Sequence, residues 1–164
     1  MSTPSRSGVF GSATDPKMLQ FSESISYDQR LYKHDINGSI AHAQMLAKNG
    51  LISPADCQQI EQGLLTIRQE IEQGQFAFLA EQEDIHMAIE SRLIEKLGDV
   101  GRKLHTARSR NDQVSTDLRM WIRETIQNID SLLSRLQAAF LKQAEQTEDL
   151  ILPAYTHLQR AQPV

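Results

Sequence analysis

Residues 102–152 contain neither glycine nor proline. Within that run Val114, Leu118, Trp121, Ile122, Ile126, Ile129, Leu132, Leu133, Leu136, Phe140 and Ala144 return every three or four positions. One side of a helix with 3.6 residues per turn collects all of them. The spacing therefore predicts a single helix over about 111–152, ended by Pro153, about twelve turns and on the order of 60 Å long. Its apolar face is wider than the two-position seam of a coiled coil, and nothing else in 164 residues is long enough to cover it. Such a helix expects several others around it, from a continuation of the chain or from other subunits. The final run, 154–164, has no helical pattern and no stop signal, so the sequence reads as the front part of a larger protein.

The punctuation of the rest is different, because all eight glycines lie at or before Gly101. Residues 1–15, rich in Ser, Thr, Pro and Gly, lack a repeating apolar face and read as a disordered arm. From about Ser22 the positions Ile25, Leu31, Ile36, Ile40, Ala43, Leu46 and Ala47 return at helical spacing up to Asn49-Gly50, a left-handed stop. Asn37-Gly38 resembles a hairpin turn, but its flanks do not alternate, so a tolerated glycine inside the helix, at about 1 kcal/mol relative to Ala, is the better reading. Ser53-Pro54 opens a second helix through Ile60, Leu64, Ile67 and Ile71 to Gly74. A third spans about 83–97 through Ile85, Ala88, Ile89, Leu93 and Ile94, with acids at its start and Gly98 at its end. The expected fold is all-α: an arm (1–15), an N-terminal helical domain (16–110), and a long helix followed by a loop (111–164).

Composition excludes several classes. With 40% hydrophobic and 23% charged residues the chain is a globular mixture, not collagen, bulk disorder or a membrane span. A net charge of −4 argues against wholesale nucleic-acid binding. The single Cys57 forms no internal disulfide and no apolar targeting core follows a basic start, which makes the cytoplasm the expected compartment.

Chemistry concentrates in two places. Arg102, Lys103, His105, Arg108 and Arg110 lie in one turn with no acid among them, just ahead of the long helix. Arginine forks and the first amides of a helix, near Asn111 and Asp112, both suit a carboxylate, although a solvated basic turn is the plain alternative. His157 follows Pro153 in a non-helical segment beside Tyr155, Thr156, Gln159 and Arg160, where a group titrating near neutral pH is well placed for catalysis. His34 and His42, eight apart, read as surface or packing residues. His86 and Glu90 have one-turn spacing but no third ligand, so His86, with Asp84, reads as a hydrogen-bonding wall of a site rather than a metal ligand. There is no phosphate loop, zinc cysteine pair, nucleophile elbow or dinucleotide fingerprint, so no metal or cofactor is expected.

Two stretches, Leu104-His105-Thr106-Ala107-Arg108-Ser109-Arg110-Asn111-Asp112-Gln113 and Tyr155-Thr156-His157-Leu158-Gln159-Arg160-Ala161-Gln162-Pro163, closely resemble motifs of the argininosuccinate lyases, in the fumarase/aspartase superfamily. Glu83-Asp84-Ile85-His86, Ser24-Ile25-Ser26-Tyr27-Asp28 and the run from Asp35 to Ala43 are similar to further stretches of that family. The resemblance implies a reversible β-elimination of argininosuccinate to arginine and fumarate, part of arginine biosynthesis, with no cofactor and with active sites assembled across a homotetramer. It implies substrate binding by Ser24, Arg110, Asn111 and Thr156, and acid or base work by His157. Two departures stand out: Ala107 replaces the family's usual Gly, and the Gly-Ser-Ser loop bearing a catalytic serine is missing, so the piece alone is expected to be inactive. The alternatives are another fumarate-producing lyase of the superfamily, disfavoured by the Arg-Ser-Arg-Asn-Asp-Gln run, and a non-enzymatic scaffold of the δ-crystallin kind.

Overall fold

The computed structural model describes residues 15–163, and the chain divides after Ile122 into two compact units. The arm expected over 1–15 lies outside the described residues except for Asp15. That residue caps α1 (Pro16–Ser22), its carboxylate accepting the amide of Lys17 at 2.8 Å. The helix expected to run unbroken from Ser22 is interrupted. Ser24 takes a non-helical conformation, α2 (Ile25–Asp28) follows, and a 3-10 turn (Gln29–Leu31) leads into α3 (Tyr32–Lys48). The apolar period spans this break because a 3-10 turn shifts the helical phase only slightly. Gly38 is accommodated inside α3, as expected.

Helix α4 (Pro54–Glu72) begins with a reciprocal capping box between Ser53 and Asp56 and a proline in its first turn. A 3-10 turn (Ala80–Gln82) precedes α5 (Ile85–Leu97), whose cap is Asp84; Glu83 has φ 61° and stays outside the helix that was expected to include it. The short α6 (Asp99–Arg102) and a 3-10 turn (Lys103–His105) then lead to α7 (Arg110–Gln146).

The core of the first unit lies between α3, α4 and α5. Ile36, Ala43 and Leu46 meet Ile60, Leu64 and Ile67 of α4 and Ile85, Ile89 and Leu93 of α5, all essentially inaccessible to solvent. Burying a side chain of this size stabilises by about 1.5–3 kcal/mol. Close approach is built in at Gly101, where a Cβ would stand 2.9 Å from the Leu93 carbonyl oxygen and 3.0 Å from the Ile94 Cα.

In the second unit α7 ends at Gln146, short of the expected Leu152, and its terminal turns give way to extended chain. Strands β1 (Pro153–Thr156) and β2 (Gln159–Pro163) pair antiparallel, Thr156 opposite Gln159 and Tyr155 opposite Arg160. The segment expected to be a loop is thus a small hairpin on an otherwise all-α chain. No helix among the described residues is long and apolar enough to cross a membrane.

Candidate functional site

Two of the stretches singled out in the sequence are laced together at one cleft of the first unit. The amides of Ser24 and Ile25 both donate to the Glu83 carbonyl, at 2.7 and 3.0 Å. The Ser24 hydroxyl donates to Asp28 Oδ2 at 2.6 Å, and Asp28 Oδ1 accepts the Ile85 amide at 3.1 Å. Asp84, capping α5 through the Met87 amide at 2.6 Å, completes the seam. Ser24, Asp28, Asp84 and His86 line a cleft of about 410 Å³ with Tyr27, Arg30, Leu31, Val114, Leu118 and Trp121. It has the usual make-up of a ligand site, apolar walls with a few convergent polar groups. Burial raises the pKa of Asp28 against the opposing pull of Ser24 and the Ile85 amide. Asp28 was not singled out in the sequence, although its spacing of four from Ser24 places the two on one helical face.

The basic turn is less exposed than its sequence implies, because other elements bring acids to it. Glu90 of α5 stands 2.7 Å from Arg110 Nη2 and 3.4 Å from the His105 ring, Asp56 pairs with Lys103 at 2.8 Å, and Arg108 turns inward to the Ser39 hydroxyl at 2.8 Å. Arg110 also donates from Nη1 to Gln113 Oε1 at 2.7 Å, while its Nε is buried without a hydrogen-bond partner among the described residues. Both ends of the fork are therefore held by the protein, and Arg110 does not line the cleft with Ser24. Asn111 lies exposed in the first turn of α7. Ala107 has φ 54°, a left-handed conformation that costs an L-residue roughly 1–2 kcal/mol.

Beneath this turn lies a cluster that sequence reading missed. His86 Nδ1 is 3.0 Å from Asp35 Oδ1 and 3.2 Å from Asp117 Oδ2, and all three side chains are almost wholly buried. His86 therefore pairs with carboxylates of α3 and α7, not with the Glu90 one turn away. The three residue types also hold metals, and their ligating atoms lie within 4.8 Å of one another. At these separations the imidazole Nδ1 is hydrogen-bonded to Asp35 and pairs by charge with Asp117, whose buried oxygens have no hydrogen-bond partner among the described residues. Burial opposes charge on His86, and the neighbouring carboxylates of Asp117 and Asp35 outweigh it, pushing its pKa up to about 9. The Asp35 carboxyl resists burial and is held low by His86 and Gln113, whereas burial and the Asp35 charge push Asp117 up. A Cβ on Gly38 would sit 3.3 Å from Asp117 Oδ1, so the mid-helix glycine faces this cluster.

Thr156 and His157 belong to the second unit. Both are exposed, and His157 and Leu158 form the two-residue turn of the hairpin, with φ 50° and 62°. Two successive positive φ angles are the mark of the primed turn that Asn-Gly usually supplies. All four non-glycine residues with positive φ among the described ones, Glu83, Ala107, His157 and Leu158, fall in the stretches singled out for chemistry. Strain of this kind gathers at functional sites.

Residues 8–164 match the lyase family, and the chain belongs to it. Its relatives include argininosuccinate lyases of Rhodopirellula baltica, 58% identical over all 164 residues, and Thioalkalivibrio sulfidiphilus, 51% identical over 96% of this chain. That of Syntrophotalea carbinolica is 50% identical over the whole chain. The chain spans 36% of the first and last of these proteins and 34% of the second.

Proposed function

We propose that this chain supplies part of the active site of an argininosuccinate lyase, which eliminates arginine reversibly from argininosuccinate to leave fumarate. The observation that carries the reading is identity of 50–58% along the entire chain to proteins bearing that name. The clustering of strained turns within the same stretches supports it. The reaction needs a group to take the carbon-bound proton, donors for the charge that gathers on a carboxylate, and an acid for the departing nitrogen. In this reading His157 moves a proton, and Ser24, Arg110, Asn111 and Thr156 bind substrate, with Asp84 and His86 as a wall of the site. The protein acts in the cytoplasm, as a homotetramer whose other subunits cover the face of α7.

The test is His157→Asn in the full-length polypeptide, which removes the titratable group while keeping a hydrogen-bonding side chain. Fumarate release, followed by ultraviolet absorbance, is expected to fall by roughly a hundredfold or more, the usual size of a general acid–base contribution. An unchanged rate would take His157 out of the mechanism, and no fumarate from the unmodified enzyme would sink the whole reading.

A further inference from the structure

We propose that Gln113, held by the buried group Asp35, His86 and Asp117, is a positioning residue that sets the orientation of Arg110. This rests on the lyase reading, in which Arg110 meets a substrate carboxylate. The geometry runs in one line. Arg110 Nη1 donates to Gln113 Oε1 at 2.7 Å, Gln113 Nε2 donates to Asp35 Oδ1, Asp35 Oδ1 stands 3.0 Å from His86 Nδ1, and that nitrogen stands 3.2 Å from Asp117 Oδ2.

A carboxamide has one donor end and one acceptor end, so a carboxylate fixed at the first decides what faces the second. Asp35 keeps the amide nitrogen of Gln113 and turns its oxygen toward the guanidinium. With Glu90 Oε2 on Nη2 at 2.7 Å, two contacts define the plane of the Arg110 fork. A guanidinium carries five N–H donors, and with Nε buried these two contacts leave one N–H on each terminal nitrogen uncommitted.

The line also closes on the helix it begins from. Arg110, Gln113 and Asp117 occupy positions i, i+3 and i+7 of α7 and share one face, while Asp35 and His86 bind that face to α3 and α5. Gln113 is 6% exposed, Asp35 1%, His86 2% and Asp117 0%. Well-packed apolar side chains would join three helices at no cost in desolvated charge. What the polar line adds is a fixed direction for Arg110.

The experiment uses the full-length enzyme with argininosuccinate. Gln113→Met keeps the volume and loses both hydrogen bonds. KM is expected to rise about tenfold or more, with kcat changed much less, as when binding common to ground and transition states is lost. Arg110→Lys alone should be impaired, and the double variant Gln113→Met/Arg110→Lys should be no worse than Arg110→Lys, because Gln113 acts only through the fork. A KM for Gln113→Met within twofold of the unmodified enzyme overturns the proposal, and so does additive loss in the double variant. Should Gln113→Met lower the melting temperature by more than a few degrees, the milder Gln113→Asn carries the same comparison. Failure of the lyase reading is separate, since there the unmodified enzyme has no activity to compare.

Discussion

His86 is the residue whose charge most depends on its surroundings. Its pKa of about 9 in the folded chain lies above the 6.5 of a free imidazole, so folding favours the protonated form. The stability this contributes is fully present below pH 6.5 and is lost as pH rises through 9; the difference corresponds to roughly 3 kcal/mol. The melting temperature should fall between pH 7 and pH 10, and the ring protons of His86, followed by NMR, should titrate near 9. A midpoint near 6.5 would show that the two carboxylates do not hold its proton. Ala107 is the complementary case, a residue set against its own backbone. With φ 54° it occupies a conformation that glycine adopts freely. Ala107→Gly should relieve the strain and, after allowing for the greater freedom of glycine in the unfolded chain, stabilise by about 0.5–1 kcal/mol. A lower urea midpoint for that variant would mean that the left-handed turn is not strained.

Among the elements, the helices were the most legible part of the sequence, because their signals are local. Ser53-Pro54 marks the start of α4, Gly98 the end of α5, and the period of Val114, Leu118, Ile122 and Ile126 marks α7. What escaped was breaks and ends. Nothing in the apolar period announces the non-helical Ser24 or the 3-10 turn at Gln29–Leu31, and α7 stops at Gln146 although no glycine or proline intervenes before Pro153. The hairpin was hidden by its turn, since His157-Leu158 lacks the Asn or Gly that normally betrays one. The packing of α6 on α5 is equally silent in sequence and depends on Gly101. A methyl group there would press on backbone atoms of Leu93 and Ile94, which yield less readily than side chains. Gly101→Ala is expected to destabilise by about 1–3 kcal/mol in urea unfolding, the usual cost of overpacking. An unchanged midpoint would mean that α6 sits further from α5 than described.

For the whole molecule, the decisive feature is apolar surface left bare. Ile126 is 60% exposed, Ile129 50%, Leu133 53%, Leu136 51% and Phe140 68%, all along α7. Each would gain about 1.5–3 kcal/mol on full burial, so a solvated monomer is disfavoured. Light scattering at micromolar concentration should find the chain associated, and a monodisperse mass near 18.5 kDa would contradict the proposed covering of α7 by other subunits. That face was visible in the sequence because it repeats. The candidate site was only half visible: Ser24, Asp84, His86 and Arg110 were named from motifs, whereas the partnership of Asp35, Glu90, Gln113 and Asp117 appears only when three helices meet. The meeting at Gly38 has a consequence for descent. Alanine at that position would stand 3.3 Å from the buried Asp117 carboxylate, which would have to yield by a few tenths of an ångström. A lineage that first replaces Asp117 by a smaller residue can then take up alanine at 38 without that contact, while the opposite order passes through the tighter packing. Which substitutions are open to this protein thus depends on the sequence in which they arrive.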